Sequence, residues 1–177
     1  MAFAVAATTT LDKPIFQDLD SWSSTGLHDL GYKVHSDDGD RTYVYSFLSS
    51  NMTAMPGATY PAFFLAGGQK SGQSVTSTFQ SDLGLSFAGI FCALAAAGNN
   101  YGWVQTTGYV ASGYLSSCVA VGDNLTPAIA GFLSPVGTGA ISTSVAGVTY
   151  ALANLAHVGE ALEADTSGKG DYILLDR

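Results

Sequence analysis

From Tyr101 to Val110 the chain alternates in character. Odd positions carry Tyr101, Trp103, Gln105, Thr107 and Tyr109, while even positions carry Gly102, Val104, Thr106, Gly108 and Val110. A period of two is the signature of a strand, so the pattern predicts one face of large aromatic and polar groups and another of small or β-branched groups. The aromatic face is built to be covered, either as core or as a subunit contact. The stretch opens after Asn99-Asn100 and runs to Gly122-Asp123-Asn124 before Pro127, which predicts two strands and their connection.

The same pattern recurs on either side. Leu30 to Phe47 reads as a hairpin, two alternating segments around Asp37-Asp38-Gly39-Asp40, where Asp-Gly supplies the positive-φ turn that hairpin twist demands. Between Ser49 and Gly84, Pro56-Gly57, Pro61, Gly67-Gly68 and Gly72 break the chain into short pieces. A strand is expected over Thr59 to Ala66, with Pro61 at its edge, and another over Ser74 to Ser81, with Val75 and Phe79 among hydroxyls. Ala88 to Ala97 is apolar on every side and fits a buried strand or a short buried helix; its strand-rich neighbourhood favours the strand. Leu152, Leu155, Val158 and Leu162 fit a helix, whereas Val158, Glu160, Leu162 and Ala164 fit a strand that would pair with Tyr172 to Leu175 across the open turn at Thr166 to Gly170. Residues 1–27 lack a sustained period and read as an extended arm, with one helical turn around Ile15 to Leu19 and apolar residues Phe3, Val5, Ile15, Phe16 and Trp22 that need a surface to sit on. A single β-rich domain at 28–177 with this arm before it is the simplest organisation.

Composition sharpens the picture. Charged residues are 11% of the 177 and apolar ones 47%, against roughly 25% charged in ordinary soluble domains. Such a surface is usually hidden in an assembly or covered in Ser and Thr. Twelve Asp against two Glu, with 21 Gly, favour turns over helix interiors. The net charge is −8 and the six strong bases are scattered, so nucleic acid, which needs clustered cations, is not an expected partner. The first residues lack a basic signal-peptide region and the apolar runs are too short to span a bilayer, so a soluble chain made in the cytoplasm is expected, without a membrane partner. Cys92 and Cys118, both in apolar surroundings, read as buried thiols more readily than as a bridge.

The search for chemistry returns little. His28, His35 and His157 are far apart and match no metal pattern, and the Asp37 to Asp40 run lacks the alternating carboxylates and distant Glu of a calcium loop. Gly84-Leu85-Ser86-Phe87-Ala88 lacks the second Gly of a nucleophile elbow, and Gly67 to Gly72 has Gln69 where a phosphate loop needs Gly. Glu160 and Glu163 show no paired-carboxylate spacing. No metal, no cofactor and no catalysis are expected.

The segments YGWVQTTGYV (101–110), VAVGDNLTPA (119–128) and AHVGEALEADTSGKGDYILLDR (156–177), with the early hairpin LGYKVHSDDGDRTYVYSF (30–47), resemble the decoration or cement proteins of tailed-phage heads. The resemblance covers half to two-thirds of the chain; residues 49–84 take no part in it. It implies an all-β barrel-like domain; together with the residue reading above, the expected fold is a compact antiparallel β-barrel-like domain with an extended N-terminal arm and little helix. It further implies a structural virion protein on the outer surface of the mature head, commonly a homotrimer at capsomer junctions, with the major capsid protein as its partner. On this expectation Phe3, Val5, Ile15 and Phe16 dock on the capsid or a neighbouring subunit, and Tyr101 and Trp103 pack in the barrel or between subunits. The alternative from another class is a carbohydrate-binding β-domain of a tail fibre or adhesin, with Trp103, Tyr101 and Tyr109 as a stacking platform.

Overall fold

The computed structural model describes residues 19, 21–37, 39–49, 58–65, 74–77, 87–94, 100–127, 132–136, 142–145, 148–151 and 157–175. The fold is all-β, with twelve strands and no helix among those residues. The expected hairpin forms from β1 (Lys33–His35) and β2 (Thr42–Leu48), in register Lys33 to Val44 and His35 to Thr42. Its loop closes on Ser36, whose amide donates to the Arg41 carbonyl at 3.0 Å and whose hydroxyl accepts from the Arg41 amide at 3.0 Å. Gly39 takes the positive φ the turn requires, +75°.

Five strands close into a barrel. They are β2, β3 (Pro61–Phe64), β4 (Ser74–Thr76), β5 (Phe87–Phe91) and β6 (Tyr101–Tyr114), hydrogen-bonded in the order β2-β4-β3-β5-β6, with β6 returning to β2. Every pairing in the ring is antiparallel except β2 with β4, which is parallel. Pro61 stands at the edge of its strand, as the sequence predicts, although β3 itself lies inside the sheet between β4 and β5. It is the first residue of β3, and β4 pairs only with Phe63 and Phe64, so no ladder bond on that side asks for the missing amide proton.

Leu48, Ala62, Val75, Ala88, Phe91 and Val104, drawn from all five strands, form one buried cluster that fills the ring. Each fully buried side chain of this kind contributes about 1.5–3 kcal/mol relative to exposure. Trp22 joins them and is 7% exposed. Its indole nitrogen donates to the Ala93 carbonyl at 3.2 Å, and beside it Ser23 pairs with Tyr101 through backbone bonds of 2.8 and 2.9 Å. Residues 21–23, part of the segment expected as an arm, are therefore docked against the barrel. Phe3, Val5, Ile15 and Phe16 lie outside the described residues.

β6 is fourteen residues long and serves two sheets. Its first half pairs with β2 and β5; its second half pairs with β12 (Lys169–Leu174). The second sheet continues through β11 (Gly159–Ala161) and β7 (Asn124–Pro127) to β8 (Leu133–Pro135). It then returns to β6: Leu115 bridges Leu133, and the Ser116 amide donates to the Leu133 carbonyl at 2.8 Å. A second ring thus closes through a single bridge, around Leu115, Leu125, Leu133, Val158, Ala161, Tyr172 and Leu174. The closing hairpin is the pair β11 and β12, so the strand reading of Val158 to Leu162 prevails over the helical one at Gly159–Ala161. A separate antiparallel pair joins β9 (Ser142–Val145) to β10 (Val148–Ala151).

Candidate functional site

The alternation of β6 puts Trp103 and Tyr101 on the outer face of the barrel wall, next to Tyr45, which pairs with Trp103 across β2 and β6. That face is nevertheless covered. Leu19, Leu30 and Val34 pack over Tyr43, Tyr45 and Trp103, and Trp103 is only 2% exposed. His28 sits among the rings, stacked on Tyr32 at 5.1 Å, edge-on to Tyr45 at 5.0 Å and tilted against Trp103 at 5.3 Å. The Tyr45 hydroxyl accepts the Leu27 amide at 3.1 Å, and burial holds its pKa above the ordinary value. Of the two residues expected to pack in the barrel or between subunits, Trp103 belongs to this chain's own core and Tyr101 is half-buried beside Tyr45 and Phe47. The surface that the aromatic face asked for is supplied by residues 19–34.

Where β6 leaves the first ring it bends. Gly108 has φ +90°, and a Cβ there would lie 2.0 Å from the Asp40 carbonyl oxygen, so only glycine lets the two backbones approach. The pairing with β2 shifts register at the same level, between Thr42 and Tyr43. Gln105 spans the bend from the side: its amide nitrogen donates to the Thr107 carbonyl at 3.1 Å and to the Tyr109 carbonyl at 2.9 Å. Just beyond, Ser112 adopts φ +51° in a bulge opposite Asp171.

The bend opens a cleft of about 190 Å³ between β2, β5 and β6. Ile90, Phe91, Val110 and Leu19 give it apolar walls, and Arg41, Tyr43, Gln105, Tyr109 and Cys92 bring polar groups to it. Arg41 lies with its guanidinium carbon 5.6 Å above the Tyr109 ring. The Tyr109 hydroxyl donates to the Asp171 carboxylate, which also accepts the Ser112 amide at 2.8 Å. The bond from Tyr109, and then that from Ser112, lowers the Asp171 pKa; the same bond raises that of Tyr109. The arrangement suits recognition of a charged group. Among the described residues, no three His, Cys, Asp or Glu side chains cluster as metal ligands would.

Sequence reasoning assigned none of Arg41, Gln105 and Cys92 to a site. Arg41 follows the Asp37 to Asp40 run and was legible only as the end of a turn; Gln105 carried the one hint, a polar residue in an aromatic stripe. The cysteines are not a bridge, and neither is fully buried as expected: Cys92 is half-buried, and Cys118 is exposed because it falls in the turn between β6 and β7. Comparison with protein-family models, with curated proteins and with solved structures finds no match to this chain.

Proposed function

We propose that the chain is a structural virion protein, a capsid decoration or cement protein that binds the outer surface of the mature phage head and stabilises it by bridging capsomers. Its partner is the major capsid protein, and it acts as a homotrimer. The observation that carries the reading is the kind of surface the chain keeps. The aromatic stripe of β6 is spent on its own fold, and the side chains left outside include aliphatic Leu94 (68% exposed), Val121 (67%), Leu162 and Ile173. In a chain with few charges, apolar area is the available source of cohesion with a partner.

Trp103 is too deeply buried to stack on a sugar, so the glycan-binding alternative loses its central residue. The test is to incubate the purified chain with sedimentable phage heads lacking it and to count bound copies per head by pelleting and quantitative mass spectrometry. Saturable binding at a fixed ratio to the major capsid protein, with greater resistance of the heads to heat, is the expected result. A folded chain that binds no expanded head overturns the proposal.

A further inference from the structure

We infer that the cleft at Arg41 is a carboxylate-binding site whose occupant is an acidic side chain of the protein the chain decorates; the identity of that partner rests on the capsid reading above. Among the described residues that line the cleft, Arg41 alone carries a charge. Its Nε is shielded from solvent and has no hydrogen-bond partner among the described residues. A guanidinium presents its N–H donors in a planar fork that matches the two oxygens of a carboxylate. The carboxylate that meets the same tyrosine, Asp171, is already occupied by the Tyr109 hydroxyl and the Ser112 amide.

Shape and charge narrow the occupant. The walls of Ile90, Phe91 and Val110 suit an alkyl stem, and the volume of about 190 Å³ exceeds the roughly 150 Å³ that admits one benzene ring. A glutamate or aspartate side chain fits this space, whereas a folded segment does not. The chain as a whole carries −8, so its long-range field disfavours free anions. Attraction is confined to the short range of Arg41, which favours an acid presented by a docked protein.

The chain carries its own reporter pair, because Cys92 lines the cleft while Cys118 is exposed outside it. Iodoacetate and iodoacetamide both alkylate a thiolate, the sulfur forming a bond to the CH2 carbon as iodide leaves, and they differ in that the first is a carboxylate. Rates at each cysteine are read by mass spectrometry on the full chain. The expected result is an iodoacetate-to-iodoacetamide rate ratio several-fold higher at Cys92 than at Cys118, lost in Arg41→Gln and partly kept in Arg41→Lys. Equal ratios at the two cysteines of the folded wild-type chain overturn the site, whatever the variants do. On phage heads lacking the chain, bound wild-type protein is expected to show slowed Cys92 alkylation by iodoacetamide. Unchanged Cys92 reactivity on heads overturns the acidic partner, and failure of the wild-type chain to bind heads overturns the capsid reading without touching the first comparison.

Discussion

The Tyr109 hydroxyl donates to the Asp171 carboxylate, tying the shared strand β6 to β12 where the ladder skips from Gly170–Gly113 to Tyr172–Val110. Two residues of β6, Ala111 and Ser112, oppose one of β12, and the carboxylate that bonds Tyr109 also takes the amide of Ser112. One acidic side chain thus fixes the bulge from both ends. Its lowered pKa and the raised pKa of Tyr109 give the bond a pH window. The Asp171 contribution is present above the ordinary carboxyl value of about 3.9 and is lost as pH falls through the lowered folded value. The Tyr109 contribution is present below about 10 and is lost as pH rises through the raised one. Tyr109→Phe should therefore melt a few degrees below wild type at neutral pH, with the gap closing at both extremes. A gap of equal size at every pH in thermal scans would mean the hydroxyl contributes no linked proton.

Trp103 separates a stability role from a ligand-stacking role. Because it is 2% exposed and contacts His28 and Tyr45, Trp103→Ala should cost about 3–5 kcal/mol of folding stability. Urea unfolding with far-ultraviolet circular dichroism measures this. A stability loss under about 1 kcal/mol would be that of an ordinary surface substitution, at odds with the buried cluster.

Trp22 and Gly102 should be coupled. A Cβ on Gly102 would lie 2.4 Å from the indole of Trp22, so Gly102→Ala forces the ring out of the barrel mouth at a cost of about 1–3 kcal/mol. In a Trp22→Ala background the same substitution should cost much less. A double-mutant cycle in urea reads the interaction directly, and additive effects would show that the two do not compete for space.

Deleting residues 2–18 keeps Leu19, which packs on the aromatic cluster, and the Trp22 and Ser23 anchors. The truncated chain should keep the wild-type melting temperature within a few degrees and lose binding to phage heads. Head binding at wild-type affinity by the truncated chain would remove Phe3, Val5, Ile15 and Phe16 from the contact.

What the sequence made legible was local. The hairpin of β1 and β2, the alternation of β6 and the hairpin of β11 and β12 each rest on a period of two and a nearby turn, which the chain carries within a few residues. Ring closure was not legible in that way. Tyr45 meets Trp103 only because β2 and β6, far apart in sequence, share an edge, and no short-range pattern encodes that choice. The covering of Trp103 by residues 19–34 was equally hidden, since the face reads the same whether its own chain or a neighbour covers it. Arg41 reached the cleft through the bend at Gly108, whose left-handed backbone is a tertiary demand and leaves no mark on the hydrophobic pattern.

The sharing of β6 between two rings also sets an order of events during synthesis. Every pairing of the first barrel is made by residues up to Thr107, so that ring can close while the ribosome is still adding the rest. The second half of β6 must then wait for β12: Asp171 lies 62 positions after Tyr109, roughly 3–12 seconds at ordinary translation rates of about 5–20 residues per second. Throughout that interval a row of unpaired backbone donors and acceptors stands open beside Tyr109 and Val110, where another nascent copy can pair with it. Yield of soluble chain should therefore depend on how fast the segment between β6 and β12 is translated, and slow codons placed there should drive the product into aggregates.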